Sequence, residues 1–158
     1  MTGISSASNF PPDAEIIVRA WCLEKTSITD IVGTRIATRL PQNPTLPFLV
    51  ITNQGGFFEG QGSQTAIATS VINFNCYAGR YGGSGNKCEP DYTTASNLAN
   101  AVVKELFIES NNQVTTSGGT KAFIYGYEVG STPARIEEPE LLIANFSLSA
   151  SMTYRASA

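Results

Sequence analysis

Three groups of residues in this chain have types and spacings that could carry chemistry, and each lacks a part its chemistry needs. Gly79, Gly82, Gly83, Gly85 and Lys87 form a glycine-rich run ahead of a helical pattern, where a phosphate-cradling loop would sit. Such a loop needs Gly-Lys followed directly by Ser or Thr, so that the lysine reaches the phosphates and the hydroxyl holds a metal ion. Lys87 stands instead between Asn86 and Cys88, and the run reads as a connector over residues 79–90. Glu137, Glu138 and Glu140 offer carboxylates, the last two at the spacing of one strand face but separated by Pro139. Acid catalysis needs one carboxyl raised by an apolar pocket, which this segment does not supply. A solvated edge that resists strand pairing is the simpler reading. Cys22 lies beside Trp21 in an apolar helical segment, and the chain has no histidine to activate it.

The remaining cysteines, Cys76 and Cys88, bring the count to three with no C-x-x-C pair, which is not a disulfide framework. Without histidine, zinc sites and catalytic triads lose their commonest ligand and base. The expectation is therefore no catalytic residue, no cofactor and no metal. Asn145-Phe146-Ser147 matches a glycosylation pattern, yet Thr2–Ser6 has neither the basic region nor the apolar run of a signal peptide. No stretch approaches the roughly 20 apolar residues of a membrane span. The expected setting is a soluble protein made in a reducing cytoplasm. Interaction is the chemistry that remains, and Phe57-Phe58-Glu59, at the middle of a Gly/Gln loop over 53–62, is the candidate contact with a partner.

The elements that position these residues follow from periodicity. Residues 1–10 are small and polar and read as an arm preceding one domain over 11–158. Pro11-Pro12-Asp13 opens a helix whose stripe is Ala14, Ile17, Val18 and Trp21, running to about Lys25. Ser27 and Asp30 resemble a capping box for a short second helix that Gly33 ends. Phe48–Thr52 is a buried strand, and Thr65–Ala78 a long returning one with Ile72, Phe74 and Cys76 on one face. Tyr92–Glu109 is the clearest helix, burying Ala95, Leu98, Ala99, Val102, Val103 and Leu106. A polar turn follows over 111–119, then a strand with Phe123, Tyr125, Tyr127 and Val129 on a shared face and Ala122, Ile124 and Gly126 suggesting burial on the other as well. The last strand has the strongest alternation, Leu142, Ala144, Phe146, Leu148, Ala150, Met152 and Tyr154 against Ile143, Asn145, Ser147, Ser149, Ser151 and Thr153, a second set that is polar and uncharged apart from Ile143. The predicted fold is α+β, a mostly antiparallel sheet with two main helices packed on one face.

Length and charge narrow the function classes. The chain has 158 residues, 42% hydrophobic and only 15% charged, with net charge −3. A nucleic-acid reader shows a basic stripe, which a mildly acidic chain does not offer. From Leu40 to Gly79 the only charged residue is Glu59. A β region whose polarity is hydroxyl and amide suits contact with other protein, because those groups lose less than carboxylates on leaving water. Four glutamates against Arg135 give residues 128–140 a net charge equal to that of the whole chain.

The opening helix, then Ile31-Val32-Gly33-Thr34-Arg35-Ile36 and Pro47-Phe48-Leu49-Val50-Ile51, resembles the start of the tail terminator (tail-completion) family of long-tailed bacteriophages. The strand ending in Asn73-Phe74-Asn75-Cys76-Tyr77-Ala78, the Ala-rich helix and the final strand Ala144–Tyr154 continue that order, so the likeness covers Pro11 to Tyr154. The resemblance implies a structural subunit that forms a hexameric ring in the neck of a virion, assembled in the host cytoplasm. Such a ring caps the tail tube protein and joins it to the head-completion or connector protein. Genomic DNA passes through its lumen without specific binding. The family brings no catalytic residues, and the long Gly-rich segments at 53–64 and 79–90 depart from its compact members. Under this reading Glu137, Glu138 and Glu140 line the lumen, and Phe57, Phe58 and Glu59 meet the tube or a neighbour. The alternatives are a head-completion or other minor tail protein, and a monomeric ligand-binding α+β domain.

Overall fold

The computed structural model describes residues 10–59, 66–82, 87–137 and 143–157, with residues 80–82 and 87–88 described by their backbone alone. Helix α1 spans Ala14–Leu23, and Asp13 caps it by accepting from the Glu15 amide at 2.9 Å. Helix α2, Thr26–Val32, begins at Lys25 with no side-chain cap and ends at Gly33, where φ is 60°. The expected Ser27/Asp30 capping box is not formed. Ser27 lies one residue inside the helix, and its hydroxyl reaches out to Glu105 Oε1 at 2.8 Å.

Strand β1, Ile36–Ala37, pairs in parallel with β2, Phe48–Glu59. All other pairings are antiparallel: β3 (Ile67–Gly82), β4 (Lys87–Pro90), β5 (Ser110–Thr115), β6 (Lys121–Val129), β7 (Ala134–Ile136) and β8 (Ala144–Ala156). The order across the sheet is β1-β2-β3-β8-β6-β5, with β4 added to β3 and β7 to β8. Helix α3, Tyr92–Ile108, is capped by Asp91, whose carboxylate accepts from the Thr94 amide and hydroxyl at 3.1 and 2.7 Å.

The core joins one face of this curled sheet to all three helices. Ile17, Trp21, Leu98, Val102 and Leu106 meet Leu49, Ile51, Ile72, Phe74, Cys76, Leu148 and Met152, each essentially inaccessible to water. This is the predicted α+β architecture, with the helices segregated to one face. Helix α1 also ties down one side of the sheet: Glu15 accepts from the Asn53 amide at 2.9 Å, and Arg19 Nε donates to the Ile36 carbonyl at 2.8 Å.

Four expectations are corrected, each by strand pairing that local composition conceals. Residues 53–59 are strand, not loop, because β2 follows β3 beyond a one-residue bulge between Asn53 and Gly56. Within the glycine-rich run, Gly79–Gly82 pairs antiparallel with Lys87–Pro90, so α3 is preceded by a strand and not by a phosphate-type loop. The polar turn at 111–119 is largely β5, whose Asn and Gln side chains suit a sheet edge as well as a turn. The aromatic face of β6 is divided by a bulge between Ile124 and Gly126. Phe123 and Tyr125 face away from the core, while Tyr127 and Val129 pack against it.

Candidate assembly surfaces

The sheet face opposite the helices is built by simple alternation. On β8 the even residues enter the core, leaving Ser147, Ser149, Ser151, Thr153 and Arg155 on the outside. Their register partners on β3 are Asn75, Asn73, Val71, Thr69 and Ile67. Hydroxyls and amides pair across the strands: Thr69 Oγ1 lies 3.2 Å from Thr153 Oγ1, and Ser147 donates to Asn73 Oδ1 at 3.1 Å. Ser131 continues the ladder, accepting from the Ser149 amide at 3.1 Å.

Charge on this face is sparse: Glu128 lines it from β6, and Glu59 and Arg155 share a row at one end. Arg155 is held by aromatics, its guanidinium 4.7 Å from the Phe123 ring centroid while Nε donates to the Tyr125 hydroxyl at 3.0 Å. Phe57, Thr69, Tyr125, Glu128, Ser151 and Thr153 line a shallow hollow of about 530 Å³. Such a face offers neutral donors and acceptors rimmed by aromatic rings, a composition that favours protein contact.

Phe57, Phe58 and Glu59 were expected to act together from a loop, and the strand separates them. Phe57 pairs with Thr69 and borders the outer hollow, whereas Phe58 pairs with Ala68 and turns to the helix side. There Phe58 stacks on Phe10 at 5.1 Å, both rings more than half exposed. Glu59 is exposed and shares a row with Ile67 and Arg155.

The acidic segment is drawn out along β8. Glu128 pairs with Ser151, while Ile136, next to Glu137, pairs with Asn145. Six residues of strand separate those rows, roughly 20 Å. Glu137 is exposed and lies 3.2 Å from Arg135, whose guanidinium sits 3.6 Å above the Tyr92 ring. Glu138 and Glu140 lie outside the described residues.

One polar cluster gave no sequence signal. Lys25 Nζ contacts Glu109 Oε2 at 2.6 Å, largely buried where α1 ends and β5 begins. Partial desolvation is the main cause that raises the neighbouring Glu24 carboxyl, on a residue that is itself exposed, above its ordinary value, with Lys25 and Asn112 opposing it. Burial likewise pushes up the thiols of Cys22 and Cys76, which removes both as accessible thiolates. The partners meet across 84 residues of sequence, so only the folded chain reveals them.

No family model matches the sequence, and no curated protein matches it at a significant level. The fold is similar to a chain in a solved structure described as the virion of a native gene transfer agent (GTA) particle. The two superpose with a TM-score of 0.58 at 12% identity, over 98% of this chain and 100% of that one.

Proposed function

We propose that this chain is a structural subunit of a phage-like virion, and more specifically a terminator that caps the tail tube as a hexameric ring and joins it to the head connector. The observation that carries the reading is the extent of the fold likeness to the GTA virion chain, nearly the full length of both partners. The element order that resembles tail terminators adds the finer assignment. The outer sheet face suits the role, since hydroxyls and amides leave water at lower cost than charges when subunits meet. The exposed rings of Phe57 and of the Phe10–Phe58 pair provide apolar anchors for the tube or a neighbouring subunit. Glu137, with Glu138 and Glu140 beyond it in sequence, would face the lumen and repel DNA phosphates.

The test is native mass spectrometry and negative-stain imaging of the full chain, alone and with purified tail tubes. Six-membered rings at tube ends support the terminator. A twelve-membered ring moves the chain to the connector region, as a head-completion or other neck protein. A chain that stays monomeric with and without tubes overturns the virion reading in favour of a ligand-binding domain. Imaging the rings with Glu137 on the outer rim would refute the lumen assignment.

A further inference from the structure

Two apolar surfaces of opposite shape lie on different elements. Helix α1 carries its buried stripe and also a second one, Ile16, Ala20 and Leu23, at the i, i+4, i+7 spacing of another face. These three form one wall of a groove of about 560 Å³ whose other wall is the β5–β6 turn, Thr115–Thr120. Both charged side chains within α1 are turned to internal work, Glu15 on the Asn53 amide and Arg19 on the Ile36 carbonyl. Arg19 also lines the groove, so the apolar stripe is bordered by one guanidinium tethered through Nε.

The convex counterpart is the last turn of α3. The outward residues Asn97, Asn100 and Lys104 give way there to Phe107 and Ile108, each 72% exposed. An adjacent pair of large apolar side chains that exposed marks a contact surface. No residue of α3 lines the groove, so knob and groove are separate patches on one chain. Two different complementary patches give a head-to-tail contact, which closes into a ring when the rotation allows. Charge agrees with this pairing: exposed Glu24 stands at the Leu23 end of the groove, and exposed Lys104 lies one helical turn before Ile108.

We propose that Phe107 and Ile108 of one copy dock in the groove between α1 and the β5–β6 turn of the next copy, as the anchoring contact of the ring. The inference rests on the ring reading given above. The contact is smaller than the roughly 1,600 Å² of a standard interface, so it acts as the hot spot within a wider surface.

The experiment uses two full-length variants, Phe107→Ser/Ile108→Ser to remove the knob and Ala20→Arg to fill the groove. Thermal melting establishes that each is folded, and native mass spectrometry over a concentration series reads assembly. Each variant alone should need at least tenfold more protein than the natural chain to assemble. An equimolar mixture should yield one-to-one dimers and no larger species, because each variant keeps one working surface. Unchanged assembly of both folded variants overturns the knob-and-groove contact while the natural chain's rings preserve the ring reading. A mixture that stays monomeric, or that regenerates complete rings, also overturns the contact. A natural chain that never assembles, alone or on tubes, overturns both.

Discussion

Gly56 and Gly55 are neighbours in β2, and replacing each by alanine should fail for a different reason. A Cβ on Gly56 would stand 1.7 Å from the Thr69 carbonyl oxygen, 2.7 Å from its carbon and 2.9 Å from Ser70 Cα. All three are backbone atoms, so no side-chain rotation relieves the contact and the strands must part. The pairs at risk are the four beyond the bulge, Gly56–Ser70 to Glu59–Ile67. At about 1 kcal/mol net for each hydrogen bond, losing two or three costs about 2–3 kcal/mol. For a chain of this size that lowers the melting temperature by roughly 4–12 °C. Gly55 has φ 95° with nothing within 4 Å of the added carbon. Gly55→Ala should therefore cost only the left-handed backbone term, about 1–2 kcal/mol, and Gly55→Asn less still. Calorimetry of the three variants gives the ranking, and hydrogen exchange should quicken at residues 57–59 and 67–70 only in Gly56→Ala. A Gly56→Ala protein as stable as Gly55→Ala would refute the close approach of β2 to β3.

Four further substitutions probe the region where α1, α3, β5 and β6 meet. Lys25→Met should destabilise by about 3 kcal/mol in urea titration, since it leaves the largely buried Glu109 carboxylate unpaired, and adding Glu109→Gln should recover most of the loss. Tyr127→Phe should leave stability unchanged or raise it by about 1 kcal/mol, because the Tyr127 hydroxyl is buried with no hydrogen-bond partner among the described residues. For Glu24 the folded carboxyl is raised above its unfolded value, so the folded state holds the proton more tightly. Stability falls as pH rises from about 4.5, the ordinary carboxyl value, through the raised folded one. Glu24→Gln should remove that fall, gaining on the natural chain between mildly acidic and neutral pH in melting curves.

Elements defined by local periodicity were legible in the sequence, and those defined by a distant partner were not. The Ala95-Leu98-Ala99-Val102-Leu106 stripe and the β8 alternation each carry their burial pattern within one segment, and both are found where the spacing puts them. Val103, one position off the stripe, is only partly buried. Strand β4 ends a glycine-rich run and β5 opens with Ser, Asn and Gln, residues that serve a turn equally well, and both become strand because β3 and β6 offer hydrogen bonds. The candidate contact residues show the same division. That Phe57 and Phe58 are exposed follows from a polar, glycine-rich context, but that they face opposite sides follows from strand geometry, which a loop assignment hides.

The two bulges work at one level of the sheet. In β2 the extra residue lies between Asn53, opposite Ile72, and Gly56, opposite Ser70; in β6 it lies between Ile124, opposite Tyr154, and Gly126, opposite Thr153. Ser70 pairs with Met152 and Thr69 with Thr153, so both irregularities flank the same rows of the central β3–β8 pair. That central pair stays in unbroken register from Ile67–Arg155 to Ala78–Ala144. An extra residue reverses the faces of everything beyond it. On β2 the reversal sends Phe57 to the outer face; on β6 it leaves Tyr125 outside and returns Tyr127 to the core against Trp21, 4.8 Å between ring centroids. The outer hollow is thus a product of two insertions acting on either side of a regular ladder. Its aromatic rim comes from the flanking strands and its hydroxyl floor from the central ones. The hydroxyl floor is visible in the alternation of β8, whereas the rim depends on two single-residue insertions that no periodicity records.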